Sequence, residues 1–540
     1  MNRLRAPGSG QQLSTPSPEP RALFPRAPSP ERSSSEPRAP SQEWLPWVCL
    51  GSFAALWLAR WPAFPLVLDP YYHLMIARQI ADAGGPIAYE WWEHAPVGRP
   101  HLYPPVLHIL LALLLKAGVG PVAALRAASV FLPVALMASL YAASRRLAGA
   151  GTALAVLAAA CTPFIFHLHC AITLAATLGM IELLWLFVAL EEGRPAAAGA
   201  LAALLGYTHL GLPGMALITV IAQAWMRGPV AWRRAAQAGW GWLLPMPWWL
   251  HVLRAQPGLH VTARWENTQV ELLPVLLAAA LLGLWTSWRK KGPLSWFVAC
   301  WAGFLALAPR HAFRWLDGEG MLPLILLAGV GITQAAEWFA GRSRGRRLAL
   351  GGCLAAAAVL LGPTLVRTGE AWQLRWPDSA PWHLLGAPRV AAKELDATFV
   401  APPMEELVAL VERETQPNEI LWSNAPYAVG LVAALARRPM SSAMFNEVGP
   451  SQAFDPIAAA HLVVFFKVGS VPGWVRLADL RRYRLTQVAD TELAALYRRT
   501  GPAVPARPPQ AVMPLAVAAA ALGLLAGLAI WDLSQGPSSF

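Results

Sequence analysis

Apolar residues in this chain gather in long unbroken runs rather than at every second position or at helical intervals of three and four, the pattern of helices that are greasy on all sides. A helix that crosses a bilayer needs roughly 20 such residues. Runs near that length cover 45–66, 122–143, 149–166, 171–190, 196–211, 213–226, 236–252, 272–288, 294–308, 321–340, 348–366 and 511–531. The stretch 104–118, PPVLHILLALLLKAG, is ambiguous by length, and the basic residues decide it. If it does not cross, the loops with Arg145 and Arg146, Arg194, Arg227 with Arg233 and Arg234, WRKKG at 288–292 and GRSRGRR at 341–347 share one side with the N-terminal segment. Short Lys/Arg-rich loops face the cytoplasm, so 104–118 is expected to be an external or re-entrant helix. The other face then receives the loop 67–121, FHLHC at 166–170, HVTARWENTQVE at 260–271, RHAFRWLDGEG at 310–320 and the long segment 367–510.

Composition agrees with that threading. Of 540 residues 56% are hydrophobic and only 14% charged, with a mean hydropathy of +0.41, which points to a polytopic α-helical membrane protein. The net charge of +12 would suit a nucleic-acid partner, but Lys and Arg sit in short loops between apolar runs as topology determinants, so no nucleic acid is expected. The five cysteines show no CxxC spacing and imply neither a disulfide framework nor a zinc finger. Residues 1–43, rich in Pro and Ser, read as a disordered cytoplasmic tail that is retained. The multi-helix transmembrane domain is expected over 44–366, a small external α/β domain over 367–510, a last membrane helix over 511–531 and a short cytoplasmic tail over 532–540. Within 367–510, AAKELDATFVAPPMEELVALVERE reads as helical, HLVVFFKVG as a buried strand, and RRYRLTQVADTELAALYRR as strands or a strand and a helix.

Candidate chemistry collects on the external side. In LDPYYHLMIARQI, Asp69 precedes Pro70, Tyr71, Tyr72 and His73. A carboxylate there suits a divalent cation or a polarised acceptor; it equally suits an N-cap, since Asp followed by Pro is a helix start signal for 70–83. In WWEHAPVGRPHLYPPVLH, 91–108, a Gly98-Arg99-Pro100 turn sets a guanidinium beside His101 and Tyr103, donors for a phosphate or a sugar hydroxyl; the plainer account is an interfacial aromatic belt.

DPYYH followed by GRPHLYPPVLHILLALL resembles the first external loop of the oligosaccharyltransferase catalytic subunit family, part of the GT-C class of membrane glycosyltransferases. The resemblance implies a GT-C-like transmembrane bundle, a polyprenyl-phosphate or polyprenyl-diphosphate sugar donor, and a metal- and acceptor-binding role for Asp69, with Tyr71 and His73 at the substrate. Where the family carries a second-loop carboxylate pair, this chain has His167-Leu168-His169. Imidazoles ligate transition metals, whereas magnesium prefers oxygen, so the expected divalent cation, Mg or Mn by resemblance, is left open at that position; helix capping is the other account of the pair. Glu266 stands where the family has a later catalytic Glu, with Glu271 as the second option or a plain N-cap. Arg310 and Arg314 match its donor-phosphate arginine segment. Trp422, Asn424 and Tyr427 occupy the place of its WWDYG sequon reader, whose signature is not intact, which argues against a standard sequon acceptor. The pattern holds eleven spans before 367–510, where the family usually has thirteen.

The function expected from these residues is transfer of a sugar or oligosaccharide from a polyprenyl-linked donor to a glycan, lipid or protein acceptor on the external face of the cell membrane. Two other classes remain: a lipid or glycan transporter, against which stands the lack of an internal hydropathy repeat, and a non-catalytic GT-C-like scaffold.

Overall fold

The computed structural model describes residues 44–65, 69–261, 269–305, 318–340, 343, 345–346, 351–353, 362–368, 371–376, 379, 383, 402–444, 448–467 and 482–535. Its helices run in chain order as α1 Leu45–Ala59, α2 Asp69–Ala83, α3 Val106–Lys116, α4 Pro121–Ala148, α5 Ala150–Ala160, α6 Phe164–Ile172, α7 Leu174–Glu191, α8 Pro195–Thr208, α9 Leu212–Arg227, α10 Pro229–Gln237, α11 Trp240–Leu243, α12 Met246–Ala255, α13 Pro274–Lys290, α14 Ser295–Phe304 and α15 Met321–Ala340. Beyond them lie α16 Pro402–Glu414, α17 Pro426–Ala436, α18 Pro456–Ala459 and α19 Leu515–Ser534.

Among the described residues α4, α7, α15 and α19 are long and apolar enough to cross a membrane. The expected spans map onto helices with three informative exceptions. The run 236–252 is divided among α10, α11 and α12, broken around Gly239 and Pro245, because Pro removes a backbone donor that a continuous helix needs. The stretch 149–172 is split at Thr162-Pro163 into α5 and α6. The tail of 348–366 is not helical: Thr364–Thr368 forms a strand. α3, with 11 residues, is only about 16 Å long, near half the hydrocarbon thickness.

Two glycines let α13 and α15 touch backbone to backbone. A Cβ on Gly283 would overlap the Leu327 carbonyl, and one on Gly331 would overlap the Ala279 carbonyl. Helices in lipid associate through such small-residue contacts, since tails are as apolar as leucine. Side-chain polar links tie the rest: Trp57 Nε1 on α1 donates to Ser129 O of α4 at 3.0 Å, and Arg194 Nη1 ahead of α8 donates to Asp532 O of α19 at 2.8 Å.

Among the described residues strands occur in four small sheets. β1 Tyr89–Glu90 pairs antiparallel with β2 Arg99–Pro100; β3 Leu259–Val261 with β8 Val448–Pro450; and β4 Gln269–Leu272 with β5 Thr364–Thr368, which pairs onward with β6 Ala371–Arg375. The largest has the order β10 Leu485–Asp490, β11 Ala494–Arg499, β9 Leu462–Phe466, β7 Leu421–Ser423, antiparallel except for the parallel β7–β9 pair. The strand read from HLVVFFKVG is β9, RRYRLTQVADTELAALYRR takes the first of its two alternatives as the strands of a hairpin, and the helix of PPMEELVALVERE is α16.

Among the described residues this α/β part has a small apolar cluster of its own around Trp422, Ile457 and Val463, and its larger one is shared with the helices. Met404, Leu407, Leu431, Val432, Leu462 and Leu496 pack in one apolar cluster with Tyr71, Leu74, Met75 and Ile80 of α2 and with Leu107 and Leu111 of α3. Pro70 to Ala81 of α2 are all buried. Arg78 Nη1 donates to Leu435 O at 2.5 Å, and Arg437 pairs with Asp82. The first-loop helix is thereby clamped between membrane helices and sheet, with Asp69 at its mouth.

Candidate active site

The hairpin β1–β2 builds a buried charge cluster. Its register sets Glu90 opposite Arg99, and the turn depends on Gly98, whose φ of +70° and crowding by Glu90 O exclude a side chain. Arg99 Nε donates to Glu90 Oε2 at 3.0 Å, Nη1 to Val448 O at 2.5 Å, and Nη2 meets Glu93 Oε2. Glu90 Oε1 accepts from Tyr72 Oη at 2.9 Å and faces His101 Nδ1. Glu93 Oε1 accepts from Met444 N at 2.8 Å. Burial works to raise both acids. For Glu90 the Arg99 guanidinium and His101 outweigh it and bring the carboxyl down to about 2; for Glu93 burial prevails and pushes it up to about 7. The sequence reading offered Arg99 and His101 to a ligand. In the structure both are buried and Arg99 spends its three nitrogens on protein acceptors, which makes it a clamp for the loop.

From His101 a seam of rings runs into the bundle. His101 lies 5.4 Å from His108 of α3 between ring centres, and His108 Nε2 meets His73 Nδ1 of α2 at 2.8 Å. Tyr103 packs edge-on against His73 at 5.2 Å and against His209 at 6.2 Å. Burial first, then the nearby His209 and His101, hold His73 down to about 3. His209 Nδ1 accepts from the Gly211 and Leu212 amides, each at 3.1 Å, so its neutral ring carries the proton on Nε2. That atom faces Glu319 Oε1 at 3.8 Å, while His169 Nε2 of α6 stands 3.6 Å from Glu319 Oε2. Glu319 is buried just ahead of α15.

Asp69 opens α2 half-buried, one turn before His73 on the same helix face. Tyr71 beside it is buried in the shared core. His167 and His169 are not a pair: two residues apart on a helix they point to different sides. His167 is buried, its Nε2 2.8 Å from Ala160 O and its ring 5.0 Å from Phe53, while His169 turns to Glu319. Trp422 packs with Ile457 and Val463, and Asn424 closes the sheet, accepting from Phe466 N at 2.8 Å and donating to Phe466 O at 3.1 Å. Tyr427 is 47% exposed on the first turn of α17. Glu271 is buried and pairs with Arg375 at 3.4 Å. Glu266, Arg310 and Arg314 lie outside the described residues.

Sequence reasoning missed His108, His209 and Glu319. A usable signal existed for His209, an ionisable side chain inside an apolar run being a functional candidate by default.

Among the described residues no three metal-ligating side chains close to coordination spacing. Glu319 faces two imidazoles, His169 Nε2 at 3.6 Å and His209 Nε2 at 3.8 Å. Two imidazoles and a carboxylate form a donor set for a transition cation rather than for magnesium.

No protein-family model matches the sequence, and no curated protein sequence matches it. Solved structures do resemble it. ArnT from Cupriavidus metallidurans in the apo state superposes with a TM-score of 0.55 at 14% identity, covering 86% of this chain and 99% of ArnT; bound to undecaprenyl phosphate it gives 0.52 at 13%, covering 85% and 99%. The arabinofuranosyltransferase AftD from Mycobacteria gives 0.53 at 15%, covering 85% of this chain and 42% of AftD. The apo oligosaccharyltransferase of Archaeoglobus fulgidus gives 0.51 at 12%, covering 75% and 65%. At these identities the likeness is one of fold alone: this chain shares the fold of ArnT, AftD and the archaeal oligosaccharyltransferase.

Proposed function

We propose that the protein is a membrane glycosyltransferase that moves a sugar from a polyprenyl-phosphate or polyprenyl-diphosphate donor to an acceptor on the external face. One observation carries the reading: on a GT-C fold, ionisable side chains from the first loop, α3, α6, the end of α8 and the start of α15 meet along one seam, with Asp69 at the mouth of the helix that contributes His73. The likeness to ArnT, one structure of which holds undecaprenyl phosphate, supports a polyprenyl carrier.

In this reading Asp69 orients the acceptor hydroxyl or amide and takes its proton as the glycosidic bond forms. Departure of the lipid phosphate develops negative charge, and the useful work is electrostatic stabilisation of that leaving group. Arg310 and Arg314 take this part by resemblance, and Glu266 assists at the acceptor. A divalent cation would be held by His169, His209 and Glu319 and would neutralise the donor phosphate. Because Trp422 and Asn424 are committed to the sheet, the acceptor is other than a sequon asparagine.

The test is transfer from a labelled polyprenyl-phosphate sugar by protein reconstituted in liposomes. Asp69→Ala and Asp69→Asn are expected to lower turnover at least about a hundredfold, the scale of general acid–base catalysis, with unchanged insertion. Wild-type rates in both variants would remove Asp69 from the mechanism.

A further inference from the structure

The end of the bundle away from the seam carries a second pocket, which the proposed reaction does not use. α7 starts beside His169 and runs 18 residues to Glu191, about 27 Å. Its far end therefore lies one hydrocarbon thickness away, at the opposite membrane interface. There Glu191 lines a cavity of about 360 Å³ with Arg227 of α9, Arg234 of α10, Gln223 and the indole of Trp296; Leu190, Val220 and Val230 complete its apolar wall.

The charges are built in rather than scattered. Arg227 Nη2 donates to Glu191 Oε1 at 3.2 Å and Trp296 Nε1 to Glu191 Oε2 at 2.9 Å. Arg234 Nη1 donates to Leu190 O at 3.2 Å and to Glu191 O, the free carbonyl end of α7. Two guanidiniums against one carboxylate leave the pocket with a net charge of +1, one negative charge short of neutral. α10, its outer wall, has no buried residue, and Val230 and Trp232 are 66% and 43% exposed. An amphipathic helix of this kind lies in the headgroup layer. A pocket at that depth, with two guanidiniums set against an apolar wall, matches a phosphate monoanion that carries acyl chains.

We infer that the pocket formed by Arg227, Arg234, Glu191 and Trp296 binds the phosphate of an anionic membrane phospholipid, on the membrane face opposite the sugar-transfer seam. The inference is independent of the sugar-transfer reading. Anchored this way, α10 fixes the α9–α10 corner to the inner leaflet.

The experiment is native mass spectrometry of the whole protein released from nanodiscs that hold equal parts phosphatidylcholine and phosphatidylglycerol. Wild type is expected to retain one phosphatidylglycerol in about tenfold preference, the scale of two arginines at a charged surface. Arg227→Gln with Arg234→Gln, and separately Ala231→Trp, which fills the pocket without touching its charge, are both expected to lose that preference. Arg289→Gln with Lys290→Gln, basic residues of the same face outside the pocket, should keep it. Melting in pure phosphatidylcholine discs identifies any variant that does not fold, and Ala231→Trp and the wild-type preference then carry the decision. Equal retention by wild type and Ala231→Trp, or equal loss in the Arg289/Lys290 control, would overturn the site. Displacement of the lipid by millimolar inorganic phosphate alone would assign the pocket to a free anion and overturn the lipid.

Discussion

Removing Arg99 should expose how the loop between α2 and α3 is held. Arg99 is 7% exposed at its side chain, Glu90 1% and Glu93 0%, so solvent screening does little for the cluster. Arg99→Met keeps most of the volume and strands two buried acids; breaking such a pair from one side costs about 3–5 kcal/mol. The two carboxyls should not respond alike. Glu90 is held down from 4.5 to about 2, which corresponds to about 3 kcal/mol of stability at neutral pH, and Glu90→Gln should lose about that. Glu93, lifted to about 7, is largely protonated at pH 6, so Glu93→Gln should cost about 1 kcal/mol there, the net worth of one hydrogen bond. The signs with pH differ too. Glu90 contributes stability that disappears as pH falls from 4.5 towards 2; Glu93 contributes stability that disappears as pH rises from 4.5 through 7. Tryptophan-fluorescence melts in detergent at one scan rate and pH 6 read this as an order of apparent midpoints: wild type, then Glu93→Gln, then Glu90→Gln, then Arg99→Met; at pH 8 the gap between wild type and Glu93→Gln should close or reverse. The double variant Glu90→Gln/Arg99→Met should lose less than the sum of its parts. An Arg99→Met midpoint indistinguishable from wild type, or Glu93→Gln as damaging as Glu90→Gln at pH 6, would refute the clamp.

Three further outcomes are expected. His73, held neutral down to about 3 from an ordinary 6.5, contributes stability that is full above pH 6.5 and is lost as pH falls towards 3, about 2 kcal/mol by pH 5; His73→Gln should flatten the wild-type melting profile by that amount, and parallel profiles would contradict it. Gly283→Val in the α13–α15 crossing should lower the yield of folded protein or the melting midpoint by several degrees, since an added side chain meets the Leu327 carbonyl, whereas Gly118→Val, with open space around it but strain at φ +86°, should do so less. Chelation should suppress transfer, zinc or manganese should restore it better than magnesium, and Glu319→Gln should blunt the restoration; transfer indifferent to chelator would remove the cation from the reaction.

Periodicity carried the fold a long way because it reports on burial, and burial is what a membrane imposes. Met321–Ala340 stands where the apolar run 321–340 foretold it, and Asp69 begins a helix that ends at Ala83 as its Pro70 signal implied. Hydropathy is blind to lost hydrogen bonds, which is why 236–252 read as a single span although Gly239 and Pro245 interrupt it. The site was legible only in part. A run such as GRPH announces a guanidinium and an imidazole but not their partners, and Glu90 and Glu93, which occupy Arg99 from within the same loop, look like any solvated acids in a sequence. In the HLH triplet helical geometry alone separates His167 from His169 by more than half a turn. The seam itself depends on Tyr103, His108, His209 and Glu319, contributed by segments more than two hundred residues apart, and no local pattern announces such a meeting.

The common core of α2, α3 and the β7–β9–β11 layer has a consequence for how the molecule behaves as a unit. Severing the sheet layer would uncover the buried flank of the helix that carries Asp69, and expressing the layer alone would expose the complementary flank, so neither fragment should be soluble or correctly shaped by itself. Chimaeras that graft a foreign layer onto these helices will need the α2–α3 segment, 69–116, to travel with it.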